Sequence, residues 1–240
     1  MSRDNLPLVM LPGLLNDHRL WAHQQAAFEA ERPVLIPDLS QDTAIVAMAE
    51  RVLQQAPPRF ALAALSMGGY VAFEILRRAP GRVERLALLD TMARPDEPAR
   101  ARVRRGLLEL AGQGRFKGVT PQLLPRLMHA RSLDTTVPEV VMAMADGIGR
   151  EGFIRQQQAI IDRADYRPVL ETIRVPTLVL FGAQDEITPL AEARLIHEGI
   201  AGARLEVIDE CGHLPPLEQP ERTTELLGGW LSWGGPALSA

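Results

Sequence analysis

The feature that most constrains the fold of this chain is a series of short, continuously apolar runs that alternate with longer segments of helical period. Strands that are buried on both faces require continuous apolarity, and such strands belong to parallel sheets covered by helices. The candidate strands are residues 8–11, 34–36, 60–64, 86–89, 177–181 and 205–208. The candidate helices between them are residues 20–28, 43–55, 67–79, 191–200 and 221–230. This alternation predicts an α/β fold: a doubly wound, mostly parallel sheet of about six strands with helices on both faces.

One stretch breaks this alternation. Residues 94–168 contain no strand-like run, only helical segments at 103–111, 122–130 and 137–148. We therefore predict a core formed by residues 1–93 and 169–233, an inserted helical cap at 94–168, and a flexible tail at 234–240. The cap carries 13 lysines and arginines against 9 acidic residues. Such an excess is typical of a solvated helical surface, and attraction of anionic substrates is the alternative interpretation.

Composition excludes several classes of protein. A formal net charge of −4 gives no electrostatic surface for nucleic acid, and no apolar run reaches the roughly 20 residues that span a membrane. The first residues lack the charged and apolar regions of a signal peptide. Cys211 is the single cysteine, so an intramolecular disulfide and a cysteine-based metal cluster are excluded. We expect a cytoplasmic protein, and the sequence leaves its oligomeric state open.

Ser66 is the candidate nucleophile. It lies in A-L-S-M-G-G (residues 64–69), directly after a predicted strand and directly before a predicted helix. This is the G-x-S-x-G elbow with Ala64 in place of the first glycine. The sharp turn strains the serine backbone and needs small residues two positions away on either side, a need that Ala64 and Gly68 meet. A serine at this place also fits a simple helix N-cap, so the motif needs further support.

Asp185 is the candidate acid, because it follows the predicted strand at 177–181. The carboxyl ends of parallel strands lie on one edge of a sheet, so Asp185 should lie near Ser66. Glu186 is a local competitor. Asp90 is a more serious one, since it also follows a strand on that edge. We rank Asp185 first and Asp90 second.

His213 is the candidate base. It lies in a Gly- and Pro-rich loop between the last predicted strand and the last predicted helix. Imidazole titrates near neutral pH and is the usual general base. Of the other four histidines, His18 and His23 lie near the first helix. His129 lies in the cap, and His197 lies within a helix. Only His213 follows a strand after the acid, which completes the chain order Ser, Asp, His.

These residues closely resemble the α/β-hydrolase superfamily over nearly the whole chain. The pattern G-x-x-D-x-x-x-P is matched by Gly182, Asp185 and Pro189, and G-H-x-P by the segment at His213. The chain looks most like the small capped members: carboxylesterases, enol-lactonases and meta-cleavage C–C hydrolases. Three features depart from the family pattern. Pro12 replaces a usual histidine, the N-terminal antiparallel hairpin is expected to be absent, and the loop after residues 37–39 lacks G-x-G-x-S.

The resemblance implies a serine hydrolase that cleaves a small carboxylic ester, thioester or lactone through an acyl-enzyme. The backbone N–H groups of Leu14 and Met67 would form the oxyanion hole, and neither a cofactor nor a metal is needed. The partner would be a small-molecule acyl substrate, bound against apolar cap residues: Leu124, Leu127, Met128, Met142 and Met144. Those residues fit a plain cap core equally well. The alternatives are a C–C hydrolase or an acyltransferase with the same triad, and a non-catalytic ligand-binding protein with this fold.

Overall fold

The structure is a computed structural model that describes residues 5–233, so the predicted tail at 234–240 lies outside the described residues. Its centre is a six-stranded sheet in the order β2-β1-β3-β4-β5-β6, in which every pair of neighbours is parallel. The strands are β1 Leu8–Leu11, β2 Val34–Leu35, β3 Phe60–Leu65, β4 Val83–Leu89, β5 Thr177–Gly182 and β6 Arg204–Ile208. The predicted fold class is confirmed.

The central strands are buried on both faces, as their continuous apolarity predicts. Every residue of β1, β3 and β5 is buried, and alternate side chains of these strands enter two apolar cores on opposite faces of the sheet. Val9 and Leu62 contribute to one core, and Leu8 and Ala61 to the other. The edge strand β6 is only partly buried. Continuous apolarity therefore marks the strands that are covered on both faces.

Helices outside the insertion cover both faces of this sheet. They are α1 Ala22–Phe28, α2 Ile45–Gln55, α3 Met67–Arg78, α9 Leu190–Gly199, α10 Pro215–Glu218 and α11 Pro220–Ser232. Apolar residues of α2, α3 and α9 enter one core, whereas those of α1 and α11 enter the other. A 3₁₀ turn at His18–Trp21 leads into α1, so the predicted first helix begins as a tighter turn.

The segment between β4 and β5 is entirely helical where it is regular. It contains α4 Pro98–Gly112, α5 Leu124–Leu127, α6 Ala130–Leu133, α7 Val137–Ile161 and α8 Arg167–Leu170. The helix expected at 137–148 extends to Ile161, with a kink at Gly149. The positive φ of Gly149 (67°) is not helical, and glycine adopts it without strain. The helix expected at 122–130 is wrong as a single element. Met128 is extended there, since Leu127 C=O accepts the N–H of His213 (3.0 Å). The boundaries of the cap stay a prediction.

The two ends of this insertion are joined at its base. Arg163 donates to the carboxylate of Asp96 (2.8 Å) and to the carbonyl of Arg94 (3.0 Å), and Arg104 donates to the same carboxylate (2.6 Å). The side chains of Asp96 and Arg163 are almost completely buried. A buried ion pair with several hydrogen bonds resists separation, so these contacts hold the two ends of the segment between β4 and β5 together. None of the helices within residues 5–233 has the length and apolar composition that crossing a bilayer requires.

Candidate active site

Ser66 occupies a strained turn between β3 and α3. Its φ of 53° lies in a region that few residues other than glycine adopt. Its N–H donates to Leu89 C=O (2.9 Å), and its own carbonyl accepts the hydroxyl of Thr91 (2.7 Å). A Cβ at Gly69 would collide with the hydroxyl oxygen of Thr91, so α3 can begin against the residues that follow β4 only because this position is glycine. Contacts with the end of β4 and with Thr91 therefore fix the turn.

The structure brings the three predicted residues together. The Oγ of Ser66 lies 2.9 Å from Nε2 of His213, and Nδ1 of His213 lies 2.7 Å from Oδ2 of Asp185. The side chains of His213 and Asp185 are buried, with 7% and 1% exposed. Both distances are those of good hydrogen bonds, so a proton can pass from the hydroxyl to the imidazole. This arrangement suits nucleophilic catalysis.

The loop after β5 orients Asp185. Its Oδ1 accepts the N–H groups of Ile187 (2.7 Å) and Thr188 (3.0 Å), which leaves Oδ2 to face the imidazole. Burial alone would raise the pKa of Asp185, but attraction to His213 and the hydrogen bond between them hold it below the usual value. Glu186, the local competitor, is exposed and bonds to none of these groups.

Asp90 lies beside this pair but does not bond to the imidazole. It follows β4, has a positive φ of 43°, and accepts the N–H of Gly182 on Oδ1 (2.9 Å). Burial, and then the negative charge of Asp185, raise the pKa of Asp90 well above its usual value. Ligand atoms of Asp90, Asp185 and His213 all lie within 4.8 Å of one another, close enough to approach one cation. The imidazole nitrogens and Asp185 already have protein partners, an arrangement that suits proton transfer better.

The predicted oxyanion donors lie at the same place. Leu14 and Met67 line one cavity together with Ser66 and His213. Met67 is the first residue of α3, where backbone N–H groups have no acceptor within the helix. Next to Leu14, the N–H of Leu15 donates to the buried amide of Gln156 on α7 (3.0 Å). The insertion thus supports the loop that carries Leu14.

Sequence reasoning missed Glu218, which organises the loop of His213. Its carboxylate accepts the N–H groups of Gly212 (3.0 Å) and Leu214 (3.0 Å), on either side of the histidine, and the N–H of His129 in the insertion (2.7 Å). The available signal was a glutamate five residues after the histidine, in a segment otherwise rich in proline. Gln156 offered no such signal, because nothing local distinguishes it from Gln157 and Gln158.

The cavity above Ser66 has a volume of about 850 Å³ and is partly open to solvent. Of the cap residues expected to line it, only Leu127 does so. Leu124, Met128 and Met144 are buried in the core below, and Met142 packs against that core. Helix α4 lines the cavity instead, through Val103, Leu107 and Leu110, which are exposed large apolar side chains. The cavity wall also contains five basic residues and one acidic one: Arg100, Arg104, Arg115, Lys117, Arg126 and Glu186.

Comparisons with known proteins agree with this architecture. Residues 8–226 match the sequence model described as the alpha/beta hydrolase family. The chain is 28% identical over 183 residues to pimeloyl-[acyl-carrier protein] methyl ester esterase of Neisseria meningitidis serogroup C, covering 74% of this chain and 71% of that protein. It is 29% identical over 169 residues to 3-oxoadipate enol-lactonase 2 of Acinetobacter baylyi, covering 68% and 60%.

Two solved structures resemble it over almost the whole chain. A thermophilic esterase from Thermogutta terrifontis matches with a TM-score of 0.85 and 30% identity, over 95% of this chain and 89% of that one. The enol-lactonase from Burkholderia xenovorans matches with a TM-score of 0.82 and 26% identity, over 97% and 94%. The similarity therefore includes the sheet and the segment between β4 and β5.

Proposed function

The chain belongs to the alpha/beta hydrolase family, and we propose that within it the protein hydrolyses carboxylic esters or lactones through an acyl-enzyme on Ser66. The observation that carries this proposal is the line of hydrogen bonds from Ser66 through His213 to the buried carboxylate of Asp185, at 2.9 and 2.7 Å. The relatives named as esterases and enol-lactonases support the same reaction class.

The proposed reaction has two halves. Oγ of Ser66 attacks the acyl carbonyl while Nε2 of His213 takes the hydroxyl proton, and the charged imidazole is stabilised by Asp185. The tetrahedral intermediate then expels the alcohol, which receives that proton from His213. In the second half, water attacks the acyl-enzyme and gives a proton to His213. The acid is released as Oγ of Ser66 regains its proton.

The negative oxygen of each tetrahedral intermediate needs fixed donors. We assign this role to the N–H groups of Leu14 and Met67, because both residues line the cavity beside Ser66. One such donor contributes on the order of 3 kcal/mol to the transition state. The restraint of Leu15 by Gln156 reduces the movement of the neighbouring donor.

The cavity favours a particular class of small-molecule ester. Its volume of about 850 Å³ lies within the usual range for ligand sites, and α4 offers an apolar wall for an acyl chain. The excess of basic side chains around it favours a substrate that also carries a negative charge. The side chains of Arg115, Lys117 and Arg126 make no hydrogen bond or ion pair with any other residue of the described part of the chain. A cytoplasmic location remains a prediction.

Covalent labelling and turnover together test the proposal. The wild type should react with a fluorophosphonate probe and hydrolyse p-nitrophenyl acetate, and Ser66→Ala should lose both. Ser232→Ala, which changes an exposed serine at the end of α11, is the matched control. Undiminished hydrolysis by Ser66→Ala would exclude the proposed mechanism.

A substrate panel then identifies the reaction class. Neutral and carboxylate-bearing esters of equal length measure the preference for charge, and a lactone measures ring opening. A vinylogous diketone tests for C–C cleavage, and an acyl donor with an added alcohol tests for acyl transfer. Turnover of the last two substrates, without hydrolysis of any ester, would contradict the assignment.

A further inference from the structure

Asp90 is a buried carboxyl group that the proposed mechanism does not use. It has no exposed surface, its Oδ1 accepts the N–H of Gly182, and its Oδ2 has no hydrogen-bond partner as an ionised oxygen. The hydroxyl of Thr188 donates to its backbone carbonyl (3.2 Å), while the N–H of Thr188 donates to Asp185. Asp90 is therefore built into the loop that carries the proposed acid.

Two buried carboxylates so close together cannot both remain charged. One carboxyl oxygen of Asp90, one of Asp185 and one ring nitrogen of His213 all lie within 4.8 Å of one another. Asp185 has an imidazole and two backbone N–H groups as partners, whereas Asp90 has one backbone N–H. The group with fewer donors accepts a proton more readily, and a proton on Oδ2 turns an unsatisfied acceptor into a donor.

We propose that Asp90 is a neutral carboxylic acid whose Oδ2–H donates a hydrogen bond to Asp185, and that it is a positioning residue for the acid of the triad. The bond joins the end of β4 to the loop after β5 and restrains the carboxylate that faces the imidazole. It also keeps a single negative charge beside His213. A second charge would favour the protonated imidazole in the resting enzyme, which cannot act as a base.

The electrostatic surroundings agree with this protonation state. Burial, then the charge of Asp185, raise the pKa of Asp90, whereas the pKa of Asp185 is lowered by His213. The other titratable groups near Asp90 are Glu218 and Cys211, and burial raises the pKa of each of them. Burial, and then the charges of Asp185 and Glu218, disfavour a negative charge on Asp90.

The test compares two substitutions at one position. Asp90→Asn keeps an acceptor for Gly182 and supplies an N–H for Asp185, so it imitates the neutral acid. Asp90→Gly removes both groups but tolerates the positive φ. We expect Asp90→Asn to keep kcat within about threefold of the wild type. The acid limb of the plot of kcat/KM against pH should stay at the same pH. We expect Asp90→Gly to lower kcat by roughly tenfold or more, with a smaller effect on KM.

Infrared spectroscopy measures the proton directly. The wild type at neutral pH should show a carboxylic-acid C=O band that disappears in Asp90→Asn and remains in Glu218→Gln. The proposal is overturned if that band is absent, if Asp90→Asn moves the acid limb to lower pH by about half a unit or more, or if Asp90→Gly keeps the wild-type kcat. The kinetic arm rests on the proposed function. The infrared arm does not, so failure of the function, seen with Ser66→Ala, is distinguishable from failure of this proposal.

Discussion

The carboxyl edge of the sheet and the inserted helices contribute to the candidate site in different ways. At the sheet edge, each reacting side chain follows a strand: Ser66 after β3, Asp185 after β5 and His213 after β6. The insertion contributes none of the three. It contributes the acceptor for Leu15, the carbonyl of Leu127 that binds the N–H of His213, and the N–H of His129 that binds Glu218.

The sheet brings the reacting side chains together, whereas the inserted helices restrain the loops that carry them. Parallel strands end at one edge, so the sheet alone brings the three side chains near one another. Loops are mobile unless their backbone groups are bonded, and a small displacement of a reacting group reduces the rate strongly. The inserted helices supply bonds to the loops that carry Leu14 and His213. Chemistry and restraint therefore come from different parts of the chain, and each can be disturbed by itself.

The largest effect should come from the sheet edge. Asp185→Asn keeps the shape of the side chain but removes the charge that orients and stabilises the imidazole, so kcat should fall by roughly 10⁴-fold. Turnover of p-nitrophenyl acetate measures it. Glu198→Gln is the control, because Glu198 is exposed on α9, outside the residues that line the cavity, and should change kcat by less than about twofold. Equal losses in both variants would contradict the assignment of the acid.

The second effect concerns the base of the insertion. Asp96→Asn leaves Arg163 buried without its partner, so the free energy of unfolding should fall by about 3 kcal/mol at pH 7. Burial would raise the pKa of Asp96, but hydrogen bonds and charges of Arg163 and Arg104 hold it below the usual value. The contribution of Asp96 is therefore complete above its unfolded pKa and is lost as pH falls through the lower folded pKa.

Urea unfolding at pH 7 and at about pH 3 measures this dependence. The difference between wild type and Asp96→Asn should be smaller at the lower pH. Asp162→Asn, which changes an exposed aspartate of the same segment, should change stability by less than about 0.5 kcal/mol. If the difference in the free energy of unfolding grew as pH falls, it would contradict a stabilising ion pair between Asp96 and Arg163.

The third effect lies where the two regions meet. Glu218→Gln replaces one acceptor oxygen with a donor, so at least one backbone N–H near His213 loses its partner. We expect kcat to fall roughly tenfold, which corresponds to about 1.4 kcal/mol. Ser132→Ala is the control, since it removes only the longest bond to Glu218 (3.3 Å). An unchanged kcat would mean that this carboxylate does not restrain the histidine.

The smallest effect should come from the insertion alone. Gln156→Leu leaves the N–H of Leu15 unsatisfied and loosens the loop of Leu14, so kcat should fall by about three- to fivefold with little change in KM. Gln158→Leu, at a partly exposed position of α7 whose side chain donates to Asp162, is the matched control. If both variants equal the wild type, the insertion does not support the oxyanion loop.

The sequence was informative about the sheet and much less so about the insertion. Strand and helix predictions in the core depend on local periodicity, and their bounds agree with the structure to within a few residues. The predicted lining of the cavity was mostly wrong, because an apolar residue of an amphipathic segment can face either a core or a cavity. Met144 faces the core, and Leu107 faces the cavity. The bonds from His129 to Glu218 and from Leu15 to Gln156 join residues that lie far apart in the chain.

By itself, the sequence determined the fold class and the order of the three site residues along the chain. Burial and periodicity are local properties, so they can be read over a few residues. Only the tertiary structure decided that Asp185, and not Asp90, faces His213, since both follow strands at the same edge. That choice depends on the direction of each side chain and on its hydrogen-bond partners. Both are set by neighbouring strands and loops that the local sequence does not contain.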